Sequence, residues 1–289
     1  MLMITVKNRA LSFVIVGAIY VLASAVGILT YATLTLQPWL SLLIADVAAT
    51  IFTFIFSLIF SNASVYDPYW SVQPIVICLC FAASFGVNLS AVIMMAAVML
   101  WGIRLTANWA YTFHGLTHQD WRYTMLKEKT RGFYPIINFV GIHLVPTLVV
   151  YFVTVPVVYV VLLKPDFSPL MLIGCILSLF AVTLQGTADY QMHRYRKNRT
   201  SPFIREGLWK YSRHPNYLGE ILMWWGMGIS AVALLGGGWH LLLGAVLNTL
   251  LFVFVSIPLA DGRQKRKPGF EEYKRQTRAL LPIYKKQNT

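Results

Sequence analysis

The stretch that decides the fold runs from Val72 to Ile103, "VQPIVICLCFAASFGVNLSAVIMMAAVMLWGI". It is too long for one straight crossing, because a helix spans a bilayer with about 20 mostly apolar residues. Gly86, Val87 and Asn88 interrupt it near its middle. Glycine and asparagine close helices and open turns. The stretch therefore reads as two spans, 72–87 and 89–107, folded into a tight helical hairpin.

On either side, further apolar runs lie near 11–34, 40–60, 137–163, 169–191, 217–236 and 239–260. Charge supports a count of eight. With the N-terminus inside, twenty-three of the twenty-four Lys and Arg fall on one side, Lys164 being the exception. That is the bias which orients membrane proteins, with the basic side cytoplasmic. Seven spans would scatter the same charges over both faces. The run from Leu11 to Leu29 has no convincing small-residue cleavage site and reads as a first span, not a removed signal peptide. The expected fold is all-α, a polytopic transmembrane bundle of eight helices, with seven as the alternative. Residues 1–38 form an N-terminal transmembrane helix. Residues 39–289 form a membrane domain with a basic C-terminal cap, and both termini are cytoplasmic.

Composition agrees. Hydrophobic residues make up 57% of the chain and charged residues 12%, and the mean hydropathy is +0.61, whereas soluble domains carry about a quarter charged residues. The net charge of +13 is a topology signal here, and no nucleic-acid partner is expected. Cys78, Cys80 and Cys175 lie in apolar runs and define no disulfide framework. His114 and His118 have a metal-like spacing, but no further ligands complete a site, so no metal is expected. No Walker motif is present, and no alternating strands exist to carry a Rossmann fingerprint.

With only eleven acids in the chain, each can be weighed singly. Asp46 falls inside the second span, where burying a carboxylate is costly; it is either a functional group or a protonated or hydrogen-bonded acid within the bundle. Asp67 sits among Tyr66, Tyr69, Trp70 and Gln73; function and a helix cap within an aromatic belt are equally good explanations. Residues 184–198, "LQGTADYQMHRYRKN", place Gln185 and Asp189 on one helix face, with Arg196 seven residues beyond Asp189. Arg196, Lys197 and Arg199 suit phosphates or serve topology alone. In "GLWKYSRHPNYLGEILMWW", residues 207–225, Pro215 suits a helix start. Asn216, Glu220 and Trp224 then share a face, and Gly219 permits close approach. First-turn N–H groups with Arg213 and His214 favour an anion. The basic tail, with Phe270, Tyr273 and "ALLPIY", reads as an amphipathic surface cap, either binding lipid headgroups or covering this site.

These last stretches resemble the C-terminal signature of the steroid 5α-reductase superfamily, particularly its bacterial branch. The similarity extends through "KPGFEEYKRQTRALLPIY", and "LWGIRLTANWAYTFHGLTHQDWRY" resembles the Trp-x-x-Arg-Leu and Asp-x-Arg-Tyr pattern of that branch. Together these cover about the last two thirds of the chain. Arg-His-Pro-x-Tyr alone is shared with isoprenylcysteine carboxyl methyltransferases.

The resemblance implies a helical membrane enzyme that binds NADPH from the cytoplasmic side. It would reduce a carbon–carbon double bond conjugated to a carbonyl in a lipophilic substrate entering from the bilayer. It implies cofactor contacts from Gln185, Asp189, Arg196, Asn216 and Glu220, and anionic or ribose subsites from Arg213, His214 and Tyr217. Lys197, Arg263 and Tyr273 join them from the basic loop and the closing tail. On the catalytic side, Asp67 falls at the position of the family's glutamate and Trp101 at that of its tyrosine. A tryptophan donates one N–H bond but is no acid, so Tyr66, Tyr69 and Tyr111 are candidates for the phenol. Two alternatives stand beside the reductase. One is an S-adenosylmethionine-dependent methyltransferase, which would carry a Glu-Glu pair where this chain reads Asp261-Gly262-Arg263. The other is a non-catalytic lipid-binding membrane protein. The style of the match points to a bacterial inner membrane.

Overall fold

The structure, a computed structural model, describes residues 5–282. Ile283, Tyr284 and the last lysines of the expected cap lie outside the described residues. Among the described residues the chain is helical, and its isolated β-bridge pairs Ser212 with Arg278.

Eight helical segments are long and apolar enough to cross a membrane, so this is an integral multi-pass membrane protein. They begin with α1 (Arg9–Thr33), α2 (Pro38–Ile59) and α3 (Tyr69–Phe85), the last led in by a 3₁₀ turn at Ala63–Tyr66. The fourth is α4 (Leu89–Thr112). The fifth is a compound segment: α5 (Trp121–Thr130), α6 (Tyr134–Ile137), a π-helical turn at Asn138–Leu144 and α7 (Val145–Leu163). Then follow α8 (Met171–Lys197) and α9 (Pro215–Leu235). The last comprises α10 (Leu243–Leu251), a second π turn at Phe252–Ser256 and α11 (Ile257–Gln264), with the short α12 (Phe270–Gln276) beyond it.

The interruption expected at 86–88 is where the hairpin turns. Gly86 closes α3 with φ 70°, a left-handed value costly to a side chain. Asn88 caps α4 by accepting the Ala91 N–H at 3.0 Å.

The chain separates into two compact units. The first comprises Met1–Gly86 and Gly102–Leu162, the second Val87–Trp101 and Leu163–Thr289. In the first unit α1 lies close on α2, with Gly27 facing Ala45 and Ala49. Arg9 ties the start of α1 to the end of α4 by donating to the Phe113 carbonyl at 2.8 Å. A buried cluster of Val16, Ile19, Val65, Phe113 and Leu116 forms around that junction.

In the second unit the core is the α8–α9 pair, held by small residues. A Cβ on Gly219 would stand 2.8 Å from the Ala181 carbonyl, and one on Gly226 would collide with Ser178. Membrane helices approach this closely only where side chains are small. The loop after α8 folds back on it: Gln191 accepts the Leu208 N–H at 2.9 Å, and Trp209 donates to the Ala188 carbonyl at 3.2 Å. Phe203, Phe270 and Tyr273 bury the tail against that loop.

Candidate functional site

The close α8–α9 contact brings Gln185 against Glu220. Gln185 Nε2 donates to Glu220 Oε2 at 2.7 Å, and Trp101 Nε1 donates to the same oxygen at 2.8 Å. Trp224, one turn on from Glu220, donates to Oε1 at 3.0 Å. The two indoles meet edge to face at 4.8 Å. Glu220 is only 2% exposed. A buried carboxylate is tolerable when its oxygens are filled by donors, and here two tryptophans and a glutamine fill them. The single N–H of Trp101 is thus committed to Glu220.

At the head of α9 lies a second charged centre. Arg213 forks onto Asp261, with Nη2–Oδ2 at 2.9 Å and Nε–Oδ1 at 3.4 Å, and His214 Nε2 lies 2.9 Å from Oδ1. Arg213 also donates to the Thr277 carbonyl. The backbone N–H groups of Arg213 and His214 donate to the carbonyls of Arg278 and Ala279 at 3.0 Å each. The rim expected for an anion is therefore built into the tail, with Asp261 balancing its charge. Tyr217 stacks on His214, ring centroids 5.1 Å apart, and touches Phe252 at the second π turn. Tyr273 donates to the Trp209 carbonyl, and burial raises its phenol above the ordinary value. The Asn216 Oδ1 is buried and accepts no hydrogen bond from the described residues.

Other cations gather elsewhere in this unit. Burial, together with Arg199, Arg263 and Arg196, lowers the Lys267 ammonium below the ordinary lysine value. Arg196, Lys197 and Arg199 are exposed at the end of α8, as is Arg263 on α11. Asp189 is half-buried on α8. Repulsion within the group disfavours its charged state and favours an incoming anion.

In the first unit Asp67 is half-buried and accepts the Tyr123 hydroxyl at 2.7 Å. Asp120 caps α5 and pairs with Arg122 at 2.8 Å, so the Asp-x-Arg-Tyr motif orients Tyr123 toward Asp67. Tyr66 bonds Thr147 at 2.7 Å and stacks on Tyr69, with His143 against its other neighbour space at 4.6 Å between centroids.

Sequence reasoning grouped Gln185, Asn216, Glu220 and Trp224, and the structure joins Gln185 and Trp224 to Glu220. It missed Asp261 as the partner of Arg213 and His214, Tyr123 as the phenol at Asp67, and Lys267 among the cations. For Tyr123 a signal existed in the quoted "DWRY"; for Asp261 there was none.

Fold and site together define a multi-pass helical membrane protein whose polar groups collect on α8, α9 and the segments that follow. Residues 53–277 match the family described as protein of unknown function DUF1295, and the chain belongs to that family. It is also similar to an uncharacterized protein of Schizosaccharomyces pombe, 28% identical over 193 residues, covering 56% of each chain. The chain thus spans little more than half the length of that relative. No solved structure matches.

Proposed function

We propose that this protein is a membrane-embedded, NADPH-dependent reductase of a carbon–carbon double bond conjugated to a carbonyl in a lipophilic, steroid- or isoprenoid-like molecule. The observation that carries the reading is the cationic group around Lys267. Arg196, Arg199, Arg263 and Lys267 form a basic group whose charges disfavour one another, which supports an anionic ligand such as a phosphorylated dinucleotide. The buried, unpartnered Asn216 Oδ1 offers an acceptor to a ligand amide or hydroxyl.

NADPH, when bound, supplies the hydride. Arg196, Arg199, Arg263 and Lys267 would hold its phosphates. Asn216 orients it, and Glu220, fixed by Trp101, Gln185 and Trp224, keeps the first turns of α9 in place. We assign Trp101 a positioning role, since its one donor is taken. In the first unit the Tyr123 hydroxyl proton is held on Asp67, and Tyr123 would serve as an acid only by exchanging that bond for one to a carbonyl. The charge bias supports basic segments that face the cytoplasm, and the family resemblance supports a bacterial inner membrane. Methyl transfer from S-adenosylmethionine fits less well, because Asp261 is followed by Gly262 and Arg263 and is taken up by Arg213 and His214.

Mass spectrometry of small molecules released from the purified protein tests the reading. NADP(H) is expected in the wild type and depleted in Asn216→Ala/Lys267→Glu. Equal recovery from both, or S-adenosyl compounds instead, contradicts it.

A further inference from the structure

A cavity of about 160 Å³ lies within the first unit, walled by α1, α2 and α3. Its wall is mostly apolar, with Ser24, Tyr31, Gln73 and Ser84 as polar side chains besides Asp46, which is 1% exposed. Oδ1 of Asp46 accepts the Tyr69 hydroxyl at 2.6 Å. Oδ2 has no hydrogen-bond partner among the described residues, and Asp46 lines the cavity. Gln73, one turn from Tyr69, lines it too and hydrogen-bonds the same carboxyl, so Oδ2 is the oxygen left over. Ile28 on α1 and Phe85 on α3 stand at the rim with 49% and 38% exposure. Both are exposed apolar side chains of membrane-spanning helices, and a molecule reaching the cavity from the bilayer would pass between them.

A buried carboxyl oxygen without a partner is costly, and the surrounding acyl chains can offer it nothing. A partner entering between Ile28 and Phe85 must come with an apolar body. A carboxylate only accepts hydrogen bonds, whereas a carboxylic acid also donates one. An ammonium would match only the first form and a carbonyl only the second. A hydroxyl both donates and accepts, and so satisfies Asp46 in either state. The volume decides the shape, since an apolar cavity of about 150 Å³ holds a molecule the size of benzene. It takes a hydroxyl and the first few carbons of a chain, and the rest must pass out between Ile28 and Phe85.

We propose that this cavity is a binding site for a single-tailed lipid alcohol, its hydroxyl on Asp46 and its tail leaving between α1 and α3. Binding here does not require a nucleotide on the second unit.

The full chain in phosphatidylcholine nanodiscs, labelled with a photoreactive hexadecan-1-ol and mapped by mass spectrometry, tests this. Label is expected in the peptides around 24–32 and 76–85. It should be displaced by hexadecan-1-ol and not by hexadecane. Asp46→Leu should weaken labelling about fivefold, the size of one hydrogen bond within a membrane. Ala45→Leu, which fills the cavity and leaves the carboxyl in place, should abolish it and keeps the test valid if the Asp46 variant does not fold. Equal competition by hexadecane, label spread evenly over the lipid-facing surface, or undiminished labelling of Ala45→Leu would show occupancy by bilayer chains alone and overturn the proposal.

Discussion

The indole N–H of Trp101 donates to the Glu220 carboxylate at 2.8 Å, joining two residues 119 positions apart. Both are almost completely buried, so neither can exchange this bond for one to water. Trp101→Phe keeps the ring beside Trp224 and removes the donor. It is expected to destabilise the protein by about 1–3 kcal/mol, the cost of an incompletely satisfied buried polar group. Thermal unfolding in detergent reads the effect, and an unchanged midpoint contradicts it.

Gly219 sets the distance over which Gln185 reaches Glu220. Gly219→Ala places a methyl 2.8 Å from the Ala181 carbonyl and from Gln185 Cβ. Overpacking of this kind costs about 1–3 kcal/mol. Gly262→Ala, with nothing within 4 Å of the new Cβ, should be neutral or slightly stabilising. Similar unfolding midpoints for the two variants would refute the close contact.

Asp261 is 6% exposed, is the counter-charge for Arg213 and is hydrogen-bonded to His214. Asp261→Ala leaves a buried arginine without that partner, and is expected to cost about 3–5 kcal/mol. The segment at Thr277–Ala279 should loosen with it, because its carbonyls bond the same two residues. Faster tryptic cleavage after Arg278 is the measurement, and cleavage at the wild-type rate would argue against this role.

These pairings show what a linear reading can and cannot recover. Span positions follow from the length of apolar runs, and the α3–α4 turn from Gly86 and Asn88. Asn216, Glu220 and Trp224 were legible because helical spacing puts them on one face. The bond from Trp101 to Glu220 was not, since no local period relates positions 119 apart. Asp261 and Arg213 are likewise joined across 48 positions by how the tail folds back. Tyr66, Tyr69 and Tyr111 were candidates for the phenol that Trp101 lacks; the hydroxyl that bonds Asp67 is that of Tyr123, 56 positions away, on the helix that Asp120 caps.

Tyr123 separates chemistry from binding. Tyr123→Phe removes the proton held at Asp67, and turnover should fall about 10²–10⁴-fold with NADPH affinity retained. Undiminished turnover by the variant would remove Tyr123 from the reaction.

The lowered Lys267 titration gives a pH signature. Burial first, then Arg199, Arg263 and Arg196, disfavour its charged form. In the folded chain the lysine therefore loses its proton at a lower pH than in the unfolded chain, so its charge costs stability at neutral pH. That cost fades as pH rises through the folded titration toward the ordinary value of 10.5. A bound phosphate favours the ammonium again, so binding takes up a proton in the alkaline range and weakens as pH rises. Affinity measured against pH should show this decline in the wild type and a shallower one in Lys267→Met. A wild-type affinity that is flat from neutral to alkaline pH contradicts it.

Thermal unfolding of the purified protein with added NADPH or S-adenosylmethionine tests the proposed reductase most directly. A ligand that binds the folded state stabilises it by about 2.7 kcal/mol at a hundred times its Kd. NADPH is expected to raise the midpoint in a saturable way, and Arg263→Glu/Lys267→Glu to abolish the rise. No shift with NADPH at any concentration, together with a shift produced by S-adenosylmethionine, would contradict the proposal.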